Sequence, residues 1–178
     1  MPLLNEYASL ARSLARSLVS IDAAQFKAAM RCMASTVTVI TSREGSVSNG
    51  MTATAVCSVS ATPPCILVVI NQANKSHSLI ERSGIFAVNV LSADQIAIAQ
   101  HFALKSDDPL GQVDYRSGLT GVPMIEGCAA QLECVVEAQT KSGTHSVFIG
   151  RVVFVQETDR LPLIYRGGEF VELSRKSD

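Results

Sequence analysis

The strongest pattern in the chain lies near its middle. Residues 50–60 form a run of β-formers and hydroxyl side chains, and Cys65 to Asn71 form a continuous apolar run. The pattern predicts two strands, the second buried on both faces. Pro63 and Pro64 cannot donate to a ladder, so they mark the connection and stiffen it. Val37 to Ile40 is a third strand with dense β-branching, ending in a polar turn through Arg43, Glu44 and Gly45. Ile85 to Leu91 is a fourth. Ala129 to Thr140 reads as a long strand, with Leu132, Cys134 and Val136 alternating against Glu133, Val135 and Glu137. Lys141 to Thr144 makes a turn, His145 to Glu157 returns as the partner, and residues 162–173 finish as a short hairpin around Gly167 and Gly168.

Helical periodicity appears in fewer places. Leu3, Tyr7, Leu10, Leu14 and Leu18 recur at helical spacing, which predicts a helix over residues 3–19. Its Arg12, Arg16 and serines resemble an organellar presequence, but Glu6 interrupts that pattern, and a helix packing across a subunit interface is the preferred reading. Asp22 with Gln25 forms a capping-box-like start for a second helix, whose Phe26, Ala29, Met30 and Met33 are expected to face inward. Ser92 to Gln95 is a capping box ahead of a third helix, closed by Phe102. The polar loop from Gln72 leads into a further helical turn near Leu79 to Arg82. Residues 105–123 carry no periodicity, as in a lid or binding loop.

About seven strands in hairpin connection with a few helices predict a mainly β antiparallel barrel with helices at its edges. No βαβ unit with a GxGxxG turn is present, which argues against a Rossmann dinucleotide domain. Residues 1–20 read as a helical extension and residues 21–178 as one domain, a size that suits the 178-residue chain.

Composition narrows the function classes. A net charge of −1 leaves no electrostatic footprint for nucleic acid, and no apolar run reaches membrane-span length. Five scattered cysteines, with no CxxC pair or Cys/His cluster, point to free thiols in a reducing, cytoplasmic setting and to no metal. A hydrophobic share of 47% is ample for a core.

The central stretch is unusual in being built of small residues. Thr52, Ala53, Thr54, Ala55 and Ser58 leave a backbone that a flat polar group can approach, although a narrow packing site would look the same. Lys75 and Ser76 precede a helix, where a hydroxyl, free amides and a cation suit a phosphate, or an ordinary helix cap. His145 follows a turn glycine at a strand start.

Several segments together resemble the short-chain NAD(P)H:flavin oxidoreductases, the flavin reductase components of two-component flavin-dependent monooxygenases. They are Phe26-Lys-Ala-Ala-Met30, the block from Gly50 to Pro64, Phe86 to Leu91 with Gln95, His101-Phe102-Ala103, Gly121-Val-Pro123, Gly143-Thr-His145 with Gly150, and Tyr165-Arg-Gly-Gly168. The order and spacing carry the resemblance, which runs from about residue 26 to about residue 173.

The resemblance implies a Greek-key split β-barrel, a homodimer, and hydride transfer from NADH to FMN or FAD, with reduced flavin passed to an oxygenase acting on an aromatic compound. No arginine cluster for a 2′-phosphate stands out, which favours NADH over NADPH. Backbone amides along Thr52, Ala53, Thr54 and Ala55 would meet the flavin ring, where charge develops on reduction. Thr52, Thr54 and Asn71 would serve the ring and ribityl chain, Lys75 and Ser76 the phosphate. Met51, Val69, Ile70, Phe102 and Ala103 would flank the cofactor. His145 would position the nicotinamide, and Tyr165 and Gly168 would line the same pocket. Thr144 stands where the family usually carries an acid. Rival readings are a non-catalytic flavin- or haem-binding split barrel, a Cys134–His145 thiolate pair, and a pure interaction module.

Overall fold

The computed structural model describes residues 13–106 and 108–173. The chain divides into two compact units, Met1–Met33 and Ala34–Asp178, so the sequence boundary at residue 20 falls inside the first. No helix among the described residues is long and apolar enough to cross a membrane.

In the first unit, residues 13–17 are helical, and Leu3, Tyr7 and Leu10 of the expected helix lie outside the described residues. Helix α1 (Ala23–Met30) starts where Asp22 predicted, its carboxylate accepting from the Ala24 and Gln25 amides at 2.8 Å each. The inward-facing stripe expected on this helix is not inward. Phe26, Met30 and Met33 are exposed, at 54%, 44% and 60%. The physical reason is that no described residue of this unit is buried, so it forms no core of its own for them to enter.

Among its described residues the second unit holds twelve strands: β1 (Ser35–Thr36), β2 (Thr38–Glu44), β3 (Val47–Ala53), β4 (Val56–Ala61), β5 (Pro64–Asn71), β6 (Ile85–Val90), β7 (Tyr115–Ser117), β8 (Pro123–Ile125), β9 (Ala130–Ser142), β10 (His145–Glu157), β11 (Ile164–Arg166) and β12 (Glu169–Val171). Helix α2 (Lys75–Ser83) joins β5 to β6, and α3 (Ile96–Ala103) follows β6. The main sheet has seven antiparallel strands in the order β3-β2-β6-β9-β10-β5-β4. Two small sheets, β1-β11-β12 and β7-β8, flank it.

The run from Gly50 to Ser60, expected as one strand, is two. It breaks at Thr54 and Ala55, and its halves occupy opposite edges of the main sheet. Laid flat, seven strands at ~4.8 Å spacing would hold those edges about 29 Å apart. The three backbone steps from Ala53 to Val56 reach about 11 Å at most. The sheet must therefore curl on itself, as the antiparallel barrel read from the pattern requires.

The core fills this barrel. Ile40, Val68, Ile70, Ile80, Phe86, Val88, Cys134 and Phe148 form one buried cluster. Strand β5 buries Val68 and Ile70 and leaves its other face half-covered, so it is a one-sided strand where two-sided burial was expected. Gly150 is required by packing: a Cβ there would stand 2.5 Å from Phe86 Cζ and 2.8 Å from Cys134 Cβ. A second cluster joins Val37, Val39, Leu91, Ala99 and Phe102 beneath α3.

The segment over residues 105–123 is only partly loop. Its later half contains β7 and the start of β8, stapled down by buried polar groups. Thr41 Oγ1 donates to the Pro123 carbonyl at 2.5 Å, and Asn89 Oδ1 accepts from the Ile125 amide at 2.8 Å. Glu133, expected on the outer side of β9, is fully buried and accepts from the amides of Leu119, at 2.8 Å, and Thr120. It keeps the face opposite Cys134, which the 117–124 segment covers, and a buried carboxylate is tolerated there because two donors meet it.

Candidate functional site

The strand register assembles part of the expected site. His145 and Asn71 are direct partners across the β10–β5 ladder. Two residues further in, Val147 faces Val69, and the Val69 amide donates to the Ala55 carbonyl at 3.0 Å. Side chains two apart on a strand share a face. His145, Val147, Asn71 and Val69 therefore stand together on the outer face of the barrel, beside the exposed Thr54–Ala55 bridge. Lys75 is exposed in the first turn of α2, four residues after Asn71.

The imidazole of His145 is oriented. Thr144 Oγ1 lies 2.9 Å from its Nδ1. Gln72 ties the neighbouring turn to the loop after β5. Its Nε2 donates to the carbonyls of Gly143 at 3.3 Å and His145 at 3.1 Å, and its amide donates to the Thr144 carbonyl at 3.0 Å. Sequence reasoning passed over Gln72, because one glutamine in a polar loop carries no pattern.

Other expected residues are turned elsewhere. Ser76 does not present its hydroxyl to the surface: it is fully buried, and its Oγ accepts from Asn49 Nδ2 at 2.7 Å. The α2 cap is Asn74, which accepts from the Ser76 amide at 2.9 Å. Ile70 is fully buried among the core residues, and Met51 packs against that same cluster. Thr52 spends its hydroxyl on the Ala99 carbonyl at 2.6 Å. Phe102 is 3% exposed and covers Gly50, where a Cβ would come within 2.5 Å of its ring; it is a core residue. Ala53 is half-buried, its carbonyl taking the Thr38 hydroxyl at 2.7 Å, and Ala103 is exposed at the end of α3.

A cleft of about 460 Å³ opens along the split of the barrel. Thr54, Val56, Cys57 and Ser58 line one side, Ser35 and Thr36 another, over Val90 and Leu132. Its wall carries hydroxyls and apolar groups and no charged side chain, a lining suited to a flat, neutral, partly polar ring. Tyr165 faces Ser35 across the β11–β1 ladder and meets Phe170 edge-on at 5.5 Å. Gly168 lies in the turn just beyond, at φ 107°, a conformation that glycine adopts without strain. The candidate residues thus fall into three groups: the His145–Asn71 face, the Thr54 cleft, and the Tyr165 hairpin beside that cleft.

The thiolate-pair reading fails on position. Cys134 pairs with Val152 well along the hairpin from His145, is fully buried, and burial pushes its thiol up to about 12. No cluster of metal-ligating side chains exists among the described residues.

The chain is 33% identical over 154 residues to the 4-hydroxyphenylacetate 3-monooxygenase reductase component of Pseudomonas aeruginosa, covering 84% of this chain and 87% of that one. It is 34% identical over 153 residues to the reductase component of a 4-nitrophenol 4-monooxygenase/4-nitrocatechol 2-monooxygenase of Rhodococcus opacus, covering 86% and 82%. The solved NADH:FAD oxidoreductase SgcE6 of Streptomyces globisporus, in complex with NAD and FAD fragments, superposes with a TM-score of 0.84 at 33% identity, covering 91% and 99%. The flavin reductase-like domain matches residues 30–174, and the chain belongs to that family.

Proposed function

We propose that this chain is the reductase component of a two-component monooxygenase: it takes hydride from NADH, delivers it to FMN or FAD, and releases reduced flavin to an oxygenase acting on an aromatic compound. The observation that carries the reading is the register that sets His145 and Asn71 together beside the exposed Thr54–Ala55 backbone.

The residues fit a flavin. Thr54 and Ala55 lie outside both flanking strands and are exposed, so their backbone can be approached. The adjoining cleft has the chemistry of a ring site, and Lys75 supplies a cation for a phosphate at the start of α2. When bound, flavin supplies the hydride-accepting chemistry. The protein's work is placement. His145, held by Thr144, orients the nicotinamide amide; Asn71 offers a side-chain amide next to it; exposed amides at Thr54 and Ala55 favour charge developing nearby. Lys75 with backbone contacts gives a modest grip, which suits a flavin that must leave. Homodimerisation would bring Tyr165 and Gly168 of each hairpin to a shared pocket, and the enzyme would work in the cytoplasm.

The test is NADH oxidation by the purified chain with FMN, FAD and riboflavin added in turn, followed by NADPH. Rapid turnover with NADH and added flavin is expected. Flavin binding with no turnover would favour the non-catalytic carrier instead.

A further inference from the structure

Two adjacent residues of α2 reach inward from its first turn. Ser76 bonds to Asn49 in β3, and His77, 5% exposed, places its Nε2 2.8 Å from the hydroxyl of Ser146 in β10. The His77 ring also meets Phe148 edge-on at 5.2 Å. Strand alternation makes this contact consequential. Ser146 points into the barrel, and its neighbour His145 points out to the nicotinamide side of the site. On α2, Lys75 is two residues before His77 and exposed on the phosphate side. The His77–Ser146 bond therefore ties the helix turn carrying Lys75 to the strand start carrying His145, from inside the barrel. Gln72 makes a similar tie from outside.

We propose that His77 is a positioning residue, which fixes where His145 stands relative to the flavin-phosphate end of the site by holding Ser146. This rests on the reductase reading. His77 touches no substrate; it acts through β10. Buried polar pairs of this kind are costly to break from one side only, because the remaining partner is left unsatisfied.

The experiment compares His77→Phe, His77→Gln, Ser146→Ala and the His77→Phe/Ser146→Ala double variant. Phe keeps an aromatic ring against Phe148 and loses the bond; Gln keeps a group able to bond Ser146. The expected result is a roughly threefold rise in the KM for NADH in His77→Phe and in Ser146→Ala, smaller than loss of the His145 ring itself would give, with the KM for flavin unchanged. The double variant should be no worse than the poorer single, because both remove one bond, and His77→Gln should recover most of the loss. Equal rises in both KM values, additive singles, or no change would overturn the proposal. Amide hydrogen exchange over residues 143–147 gives a second readout without turnover. Faster exchange in His77→Phe than in His77→Gln supports the tie, and equal exchange overturns it. A wild-type chain that oxidises no NADH would sink the reductase reading while exchange still decides the role of His77.

Discussion

His145 and Asn71 face each other directly across the ladder between β10 and β5, although 74 positions separate them in the chain (145 − 71). The pairing gives the outer barrel face a ring nitrogen and a side-chain amide side by side, near exposed backbone. Replacing His145 with Ala should raise the KM for NADH roughly fivefold, the cost of one hydrogen-bonding contact, with flavin affinity nearly unchanged. Thr144→Val should give a smaller rise in the same parameter, since it frees the ring without removing it. Steady-state kinetics with each substrate varied in turn checks both.

Lys75 is exposed at the start of α2 and meets only a phosphate in the proposed site. Lys75→Ala should weaken FMN binding roughly threefold, as expected for an exposed ion pair, and leave riboflavin binding unaltered. The difference should shrink at high salt. Fluorescence titration with the two flavins measures it, and an equal loss for both would remove Lys75 from the phosphate site.

Glu133 is the fully buried carboxylate that holds the Leu119 and Thr120 amides. Glu133→Gln turns an acceptor-only group into one whose amide end confronts a donor. The variant should lose about 1–3 kcal/mol of stability by urea unfolding. Residues 115–125 should lose hydrogen-exchange protection before the rest of the barrel.

Four of the five thiols should divide by exposure. Burial pushes the thiols of Cys128 and Cys134 up to about 12, while Cys32 and Cys57 are exposed. Alkylation of the native protein near pH 8, read by mass spectrometry, should label Cys32 and Cys57 and spare Cys128 and Cys134 until the chain is unfolded.

The sequence revealed strands more readily than their placement. The hairpin of β9 and β10 was legible because its apolar alternation is long and its turn carries Gly143. The break at Thr54 was not, because residues 50–60 keep strand composition throughout and only the curl of the sheet forces the chain to change edges. Site residues were legible as types and not as directions. Ser76 and Lys75 look equivalent beside a helix start, yet the helix phase sends one to Asn49 and the other to solvent. Glu133 stands on the face opposite Cys134, as alternation predicts, but the segment that covers that face and brings its amides to the carboxylate has no periodicity to announce it. Thr144, which departs from the family's usual acid, still reaches the ring nitrogen of His145.

The two-residue bridge between β3 and β4 also bears on how the chain comes to be folded. The strands it joins end at opposite edges, so β3 and β4 never pair with each other. Strand β3 depends on β2, which precedes it, but β4 hangs from β5, and β5 must await β10 from late in the chain. Assembly is thus governed by distant pairings, the kind that slows folding, and this half of the barrel cannot close until residues 145–151 have emerged. A truncated chain lacking β10 would leave the apolar face of β5 uncovered, and it should aggregate rather than persist as a smaller barrel.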